Sequence, residues 1–264
     1  MHWQRHVCVL SFVVGVVQMT LSVIIIVLNE AHQMRDCLDT VRWADELIVL
    51  DAGSTDGTPD IAREYTPHVY ETDWPGFGPQ KNRALAYATG DWVLSLDADE
   101  RISPELRAEI TSVMASDRYD GYQMPRRSSY CGRFMRHGGW WPDYVTRLFR
   151  RGRGQFTEVR VHERVIVQGR TGTLQTPIIH YSFRDLDAVL RKVNQYSTEG
   201  AHRLADANRR AGLGTAILRG LWTFVRCYFL KAGFLDGREG FILAVSNAEG
   251  TYYRYLKLMY LQRR

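Results

Sequence analysis

Cysteine is scarce in this chain, and the four present, Cys8, Cys37, Cys131 and Cys227, lie far apart. There is no C-x-x-C pair and no Cys/His spacing, which disfavours a zinc site or a disulfide framework. The pattern suits buried or free thiols in a reducing compartment. Two phosphate-binding signatures are also missing. No G-x-x-x-x-G-K-[ST] loop occurs, and no G-x-G-x-x-G follows the first apolar run, so a P-loop NTPase or a dinucleotide-dependent dehydrogenase is disfavoured. An aspartyl-nucleophile phosphatase would carry its D-x-D after the first strand, where this chain has none. There is no internal repeat and no low-complexity linker. Basic residues form no stripe on a reader motif, which makes nucleic acid the weakest partner. The net charge of +5 and pI near 9.1 leave an acidic lipid or a phosphorylated substrate as the anionic partner.

What is present starts ambiguously. Val7 to Val17 is apolar and superficially like a short signal peptide, and counted on to Leu28 the run is long enough to span a bilayer. Leu21 to Leu28, however, is needed as the first core strand. Met19 stands directly before it as a possible natural start, so residues 1–18 are expected to be an extension with little structural role. The 264 residues suffice for one large α/β domain with an appendage.

Leu21 to Leu28 is β-branched and almost wholly apolar, as a strand covered on both faces of a parallel sheet should be. A helix follows over about 32–43, then a strand from Glu46 to Leu50 ending in Asp51. Thr58 and Pro59 read as the cap and first turn of the next helix. A short strand near 68–71 and a helix over about 80–89, stopping at Gly90, lead to a fourth strand, Trp92 to Leu96. Ser103-Pro104 opens the helix after it. This βαβαβαβ order implies right-handed crossovers and a ligand crevice at the carboxyl ends of the strands. Asn29-Glu30, Asp51, Asp97 and Asp99 all fall at such ends. Asp97 and Asp99, at i and i+2, can point the same way and grip a hard divalent cation. The glycines and small residues of Asp51 to Thr58 could leave backbone N–H groups free for a ligand. From about Asp120 the texture becomes antiparallel, with strands at 121–130, 145–150 and 159–167. From Asp185 onward it is helical.

The ordered set Val27-Leu28-Asn29-Glu30, Asp51 to Thr58, Gln80-Lys81-Asn82-Arg83 and Asp97-Ala98-Asp99-Glu100 resembles glycosyltransferase family 2. The branch it is most similar to is the bacterial lipopolysaccharide inner-core β-1,4-glucosyltransferases. The likeness extends through Val161-His162-Glu163, Ile179-His180-Tyr181 and Gly233 to Gly237. It departs from many members in having Ala52 rather than a second acid after Asp51, and it lacks the Q-x-x-R-W element of processive synthases. The resemblance implies a GT-A-like, open, mostly parallel sheet flanked by helices, with a mixed or antiparallel acceptor side. Residues 19–183 would form the catalytic domain, with a donor half to about 115 and an acceptor half from about 116. Residues 184–264 would form a helical C-terminal region.

It also implies inverting transfer of a hexose, glucose from UDP-glucose, to an inner-core heptose, with Mg²⁺ or Mn²⁺. Leu28, Asn29, Glu30, Asp51, Lys81, Arg83 and Asp97 would then hold the nucleotide-sugar. Asp99 and His180 would hold the metal, and Glu163 would be the base that deprotonates the acceptor. Arg147 and Arg150 are candidate phosphate ligands, and His137 to Pro142 a candidate sugar-stacking loop.

Ala216 to Lys231 is rich in Leu, Trp, Phe and Tyr, with Arg219, Thr223 and Arg226 on one face. About sixteen helical residues span only about 24 Å, which argues against crossing a bilayer; the helix could lie in a membrane interface or pack on the catalytic domain. Tyr252, Tyr253, Tyr255, Tyr260 and Arg263-Arg264 would add anchors. The family resemblance implies a lipid-linked saccharide acceptor, which makes the inner face of the cytoplasmic membrane the expected partner surface and the expected location cytoplasmic and peripheral. A sugar-nucleotide nucleotidyltransferase, a family 2 enzyme with another glycan or peptide acceptor, and a glycan- or lipid-binding protein on a decayed scaffold are the rival readings.

Overall fold

The computed structural model describes residues 19–158 and 163–262. The 1–18 extension, the Val161-His162 part of the motif ending at Glu163, and the Arg263-Arg264 anchors lie outside the described residues.

Strand β1 (Leu21–Val27) is buried along its whole length. Its alternate residues feed two cores. Leu21, Val23, Ile25 and Val27 join a cluster with Met34, Cys37, Leu38, Leu106 and Ile110, while Ile24 and Ile26 face Ala84, Val93 and Phe149 on the other side. This is why the run is apolar without alternation. Around it come α1 (Ala31–Asp39), β2 (Glu46–Asp51), α2 (Thr58–Arg63), β3 (Val69–Glu71), α3 (Phe77–Tyr87) and β4 (Trp92–Asp97). The strand order β3-β2-β1-β4 is parallel throughout, and the register sets Val27 beside Asp51 and Ile26 beside Asp97. Three of the acid-bearing strands thus end at one level.

The sheet continues through β5 (Glu100–Arg101), β6 (Gly121–Tyr130), β8 (Asp143–Arg150) and β12 (Ile178–Phe183), with α4 (Pro104–Met114) between β5 and β6. Antiparallel β8 joins β4 to β6, and β12 runs parallel to β6 and antiparallel to β5. Short strands β7 (Arg133–Phe134) and β11 (Thr171–Thr173) pair with β6, and β9 (Gly154–Phe156) pairs with β10 (Val165–Val167). The strand expected over 159–167 is thus described only at Val165–Val167.

Two local readings change. Thr58 is the first residue of α2, not its cap; Gly57 caps it at φ +85°. Gly90 is no left-handed cap either, since α3 ends at Ala88 in extended conformation. Its missing side chain serves packing, because a Cβ there would come within 2.8 Å of the Ser22 backbone. Ser103 does cap α4, accepting from Leu106 N–H at 3.2 Å.

The C-terminal region is α5 (Leu186–Asp206), α6 (Leu213–Val225), a π-helical turn over Arg226–Leu230, a 3₁₀ turn over Gly233–Asp236, and α7 (Gly237–Leu261). Ala216 and Gly220 are buried on the α6 face turned to α7, and Thr223 bonds Thr251 at 3.2 Å. The opposite stripe, Leu218, Leu221, Trp222 and Val225, is exposed, Leu218 to 69%. Small and polar side chains therefore face inward and the large apolar ones face out. No helix among the described residues is long and apolar enough to cross a membrane.

Candidate active site

A cavity of about 1420 Å³ opens at the carboxyl ends of β1 and β4 and runs beneath α5, α6 and α7. Its wall includes Leu28, Glu30, Lys81, Asp97, Asp99, Glu163 and His180. Seven of the ten residues expected in the site are therefore brought together around one hollow.

Asp97 ends β4 and lies between two cations. Lys81, reaching in from α3, approaches its carboxylate at 2.9 Å, and Arg147 from β8 pairs with it on the other side. Lys81 also holds Glu163 at 3.0 Å, and is itself buried. Burial alone would push the Asp97 carboxyl up, but Arg147 and Lys81 outweigh it and hold it well below the usual carboxylate range. Arg147 continues to the fully buried Glu100 at 2.7 Å, and Arg126 links Glu100, at 3.6 Å, to Asp143, at 2.6 Å. Acids and cations alternate along this chain of pairs, so the buried charges compensate one another.

Asp99 is placed by the sheet. Tyr181 N–H donates to its carbonyl at 2.8 Å, and the β12–β5 register sets His180 opposite Glu100. His180 Nε2 then lies 3.1 Å from Asp99 Oδ2, while its Nδ1 meets Ser128 Oγ on β6 at 2.8 Å. A hydrogen bond to one ring nitrogen fixes the role of the other. A carboxylate beside an imidazole can hold a divalent cation, the carboxylate oxygen being the ligand that suits Mn²⁺ or Mg²⁺. Among the described residues no three His, Cys, Asp or Glu converge as a cage. A hard cation that takes its remaining ligands from water and substrate phosphate fits such a pair.

Glu30 follows β1 and is fixed by its backbone N–H, which donates to Thr58 Oγ1 at 2.9 Å. Burial first, then the nearby charges of Asp99 and Asp56, push its carboxyl up from 4.5 to about 7, while Lys192 pulls the other way. The folded state thus keeps a proton that the unfolded chain loses over that interval, so stability falls as pH rises through it. The loss is at most about 3 kcal/mol, less after solvent screening. Urea unfolding at pH 5 and pH 7.5 in metal-free buffer should show this decline in the wild type and not in Glu30→Gln. Parallel behaviour of the two would reject the shift.

Asn29, Asp51 and Arg83 are not part of the cavity wall. Asp51 is buried and accepts from Gly53 and Ser54 N–H at 2.9 and 2.7 Å. Asn29 accepts from Thr55 N–H at 2.8 Å, and its own N–H donates to Ser54 Oγ at 2.7 Å. Within the 51–58 turn the N–H groups of Ala52, Gly53, Ser54, Thr55 and Thr58 are therefore satisfied internally, and these bonds lock the ends of β1 and β2 together. Arg83 turns to Asp73 at 2.7 Å. Arg150 lies at the far end of β8, over Trp92 and against Asp117. Arg126 and Ser128 carried no sequence signal for a site role, because only the pairing of β6 with β8 and β12 brings them here; Glu100 stood in the Asp97-to-Glu100 motif without a role of its own.

A mixed α/β sheet with paired acids and buried cations in a cleft at the carboxyl ends of its parallel strands has the architecture of a ligand site. The glycosyl transferase family 2 model matches residues 22–174, more than half of the chain. Over 245 residues, 88% of each sequence, the chain is 31% identical to the lipopolysaccharide core biosynthesis glycosyltransferase LpsC of Rhizobium meliloti. It is 30% identical over 256 residues to the uncharacterized glycosyltransferase RC0292 of Rickettsia conorii, covering 90% of this chain and 89% of that one. The crystal structure of S. aureus TarS 1–349 with UDP-GlcNAc aligns over 93% of each chain, at 16% identity and a TM-score of 0.49. The chain belongs to glycosyltransferase family 2. It is a glycosyltransferase with the mixed, mostly parallel GT-A-like sheet and helical C-terminal region that its motifs imply.

Proposed function

We propose that this protein is a metal-dependent, inverting hexosyltransferase that moves glucose from UDP-glucose to a heptose of the lipopolysaccharide inner core. The observation that carries the reading is the Asp99–His180 pair standing in the same cavity as the Lys81–Asp97–Arg147 cluster. The likeness to the lipopolysaccharide core biosynthesis glycosyltransferase LpsC supports an acceptor in the lipopolysaccharide core.

In the proposed reaction the acceptor hydroxyl oxygen bonds to the anomeric carbon as that carbon's bond to the diphosphate oxygen breaks. The electron pair leaves with the nucleoside diphosphate. Glu163 accepts the hydroxyl proton, and a single in-line displacement inverts the anomeric centre. Asp99 and His180 would hold the metal, which would neutralise charge growing on the leaving diphosphate. Lys81 and Arg147, held by Asp97, place N–H donors in the same region. Lys81 also orients Glu163.

The exposed Leu218, Leu221, Trp222, Phe229 and Leu230 support a peripheral seat on the inner face of the cytoplasmic membrane. They lie beside the cavity wall formed by Trp222, Thr223 and Arg226, where a lipid-linked acceptor would enter.

Incubation with UDP-glucose, Mn²⁺ and a synthetic heptoside should yield a β-glucoside, read from the anomeric coupling in proton NMR. An α-linked product would refute inversion, and no product from any UDP-hexose would refute the donor. Flotation with anionic vesicles should recover the wild type and lose a Leu221→Asp/Trp222→Asp variant; equal recovery would remove the membrane seat.

A further inference from the structure

The cavity is larger than the 300–1,000 Å³ or so of an ordinary small-molecule pocket. Its two halves differ in charge. Every carboxylate on its wall, Glu30, Asp97, Asp99, Asp143 and Glu163, comes from the first 163 residues. The wall supplied by α6, the π turn and α7 has none, yet it carries Arg226, Lys231 and Arg254. No ion pair ties down any of these three among the described residues, and Arg254 Nε is shielded from water without a hydrogen-bond partner. They lie beyond residue 174, where the family match ends.

The structure spends a clamp on this wall. Asp236 is buried, and its carboxylate accepts from Arg136 N–H at 3.0 Å, from His137 N–H at 2.7 Å and from the His137 ring at 3.0 Å. Gly138 N–H donates to the Lys231 carbonyl at 2.9 Å, and Cys227 Sγ donates to the Gly138 carbonyl at 3.3 Å. Gly139, at φ +86°, leaves room for the Lys231 side chain, since a Cβ there would stand 2.3 Å from its Nζ. The loop bearing Trp140 and the turn bearing Arg226 and Lys231 therefore form one rigid unit. A π turn of this kind is a frequent mark of a functional site. The Gly233-to-Gly237 motif has its physical reason here, as the strap that holds that unit together.

We infer that this unit is an anion-binding subsite for the acceptor, in which Arg226 and Lys231 take a phosphate or carboxylate on the sugar next to the one glycosylated, beside the Trp140 ring. Calling the ligand an acceptor rests on the glycosyltransferase reading; the anion site itself does not. Lys192 is left out of it, because its field reaches Glu30 on the donor side.

The test is calorimetric titration of the full chain, with and without saturating UDP and Mn²⁺, by mannose 6-phosphate, glucuronate, methyl mannoside and inorganic phosphate. The subsite predicts that mannose 6-phosphate or glucuronate binds at least about tenfold tighter than methyl mannoside, and that the advantage shrinks with added salt. Arg226→Gln and Lys231→Gln should each remove most of it while the affinity for UDP stays at the wild-type value, which also certifies the fold. Which of the two charged sugars binds identifies the anion as phosphate or carboxylate.

Equal binding of neutral and charged sugars would overturn the inference. So would inorganic phosphate binding as well as the sugar phosphate, or the variants losing UDP in proportion, since the cations would then serve the donor. Charge-dependent sugar binding without any UDP binding would instead sink the glycosyltransferase reading and leave the anion site standing.

Discussion

Replacing Glu163 with glutamine is expected to lower turnover by about 10²–10⁴-fold, the usual contribution of a positioned general base, with UDP-glucose affinity unchanged. The amide oxygen still accepts from Lys81, so the contact that fixes the side chain at 3.0 Å survives. What disappears is the capacity to take a proton. A fall in kcat and kcat/KM by the same factor, with donor affinity intact, is the signature of a group acting only in the transition state. Donor binding measured by titration and single-turnover transfer measured separately will tell the two apart. Residual transfer above about a tenth of wild type would place the base elsewhere.

The second large effect is on folding. Arg147→Met removes the buried cation shared by Asp97 and Glu100 and leaves Glu100, which has no exposed surface, with the Asp97 N–H at 3.1 Å and, as its one remaining cation among the described residues, the more distant Arg126 at 3.6 Å. Breaking a buried pair from one side costs about 3–5 kcal/mol, because an uncompensated charge stays inside. For a domain of this size that corresponds to a melting temperature lower by about 10 °C. Calorimetry of the variant checks it. Adding Glu100→Gln on the same background should recover part of the loss, since the stranded charge is then gone. If the single variant melts within about 2 °C of wild type, the buried network is not structural.

The parallel half was legible in the sequence because β1, β2 and β4 are buried along nearly their whole length and each crossover helix is short. Leu21 to Val27, Glu46 to Asp51 and Trp92 to Asp97 announce themselves as apolar runs ending in acids. Asp99 was legible from its i, i+2 spacing with Asp97 at a strand end, but His180 only through motif resemblance, since 81 residues separate the two and they meet through the pairing of β5 with β12. Asp51 and Asn29 carry the right residue types at the right ends, yet their side chains are consumed by Ser54 and Thr55. Spacing does not distinguish an acid facing a ligand from one closing its own turn. Arg83 fails for a similar reason: two positions beyond Lys81 on α3, it points toward Asp73 instead of inward. The inverted polarity of α6 was visible as composition, but which face meets α7 depends on Ala216 and Gly220 allowing close approach.

The account rests on Asp99 and His180 holding a cation that in turn holds the donor. Titration of UDP-glucose into wild type and Asp99→Ala, each with Mn²⁺ and with chelator, tests this most directly. The wild type should bind at least about tenfold more tightly with Mn²⁺ than without, and Asp99→Ala should bind weakly and identically in both conditions. Binding of UDP-glucose that is equally tight with and without the metal, or a metal effect that survives in Asp99→Ala, would contradict it.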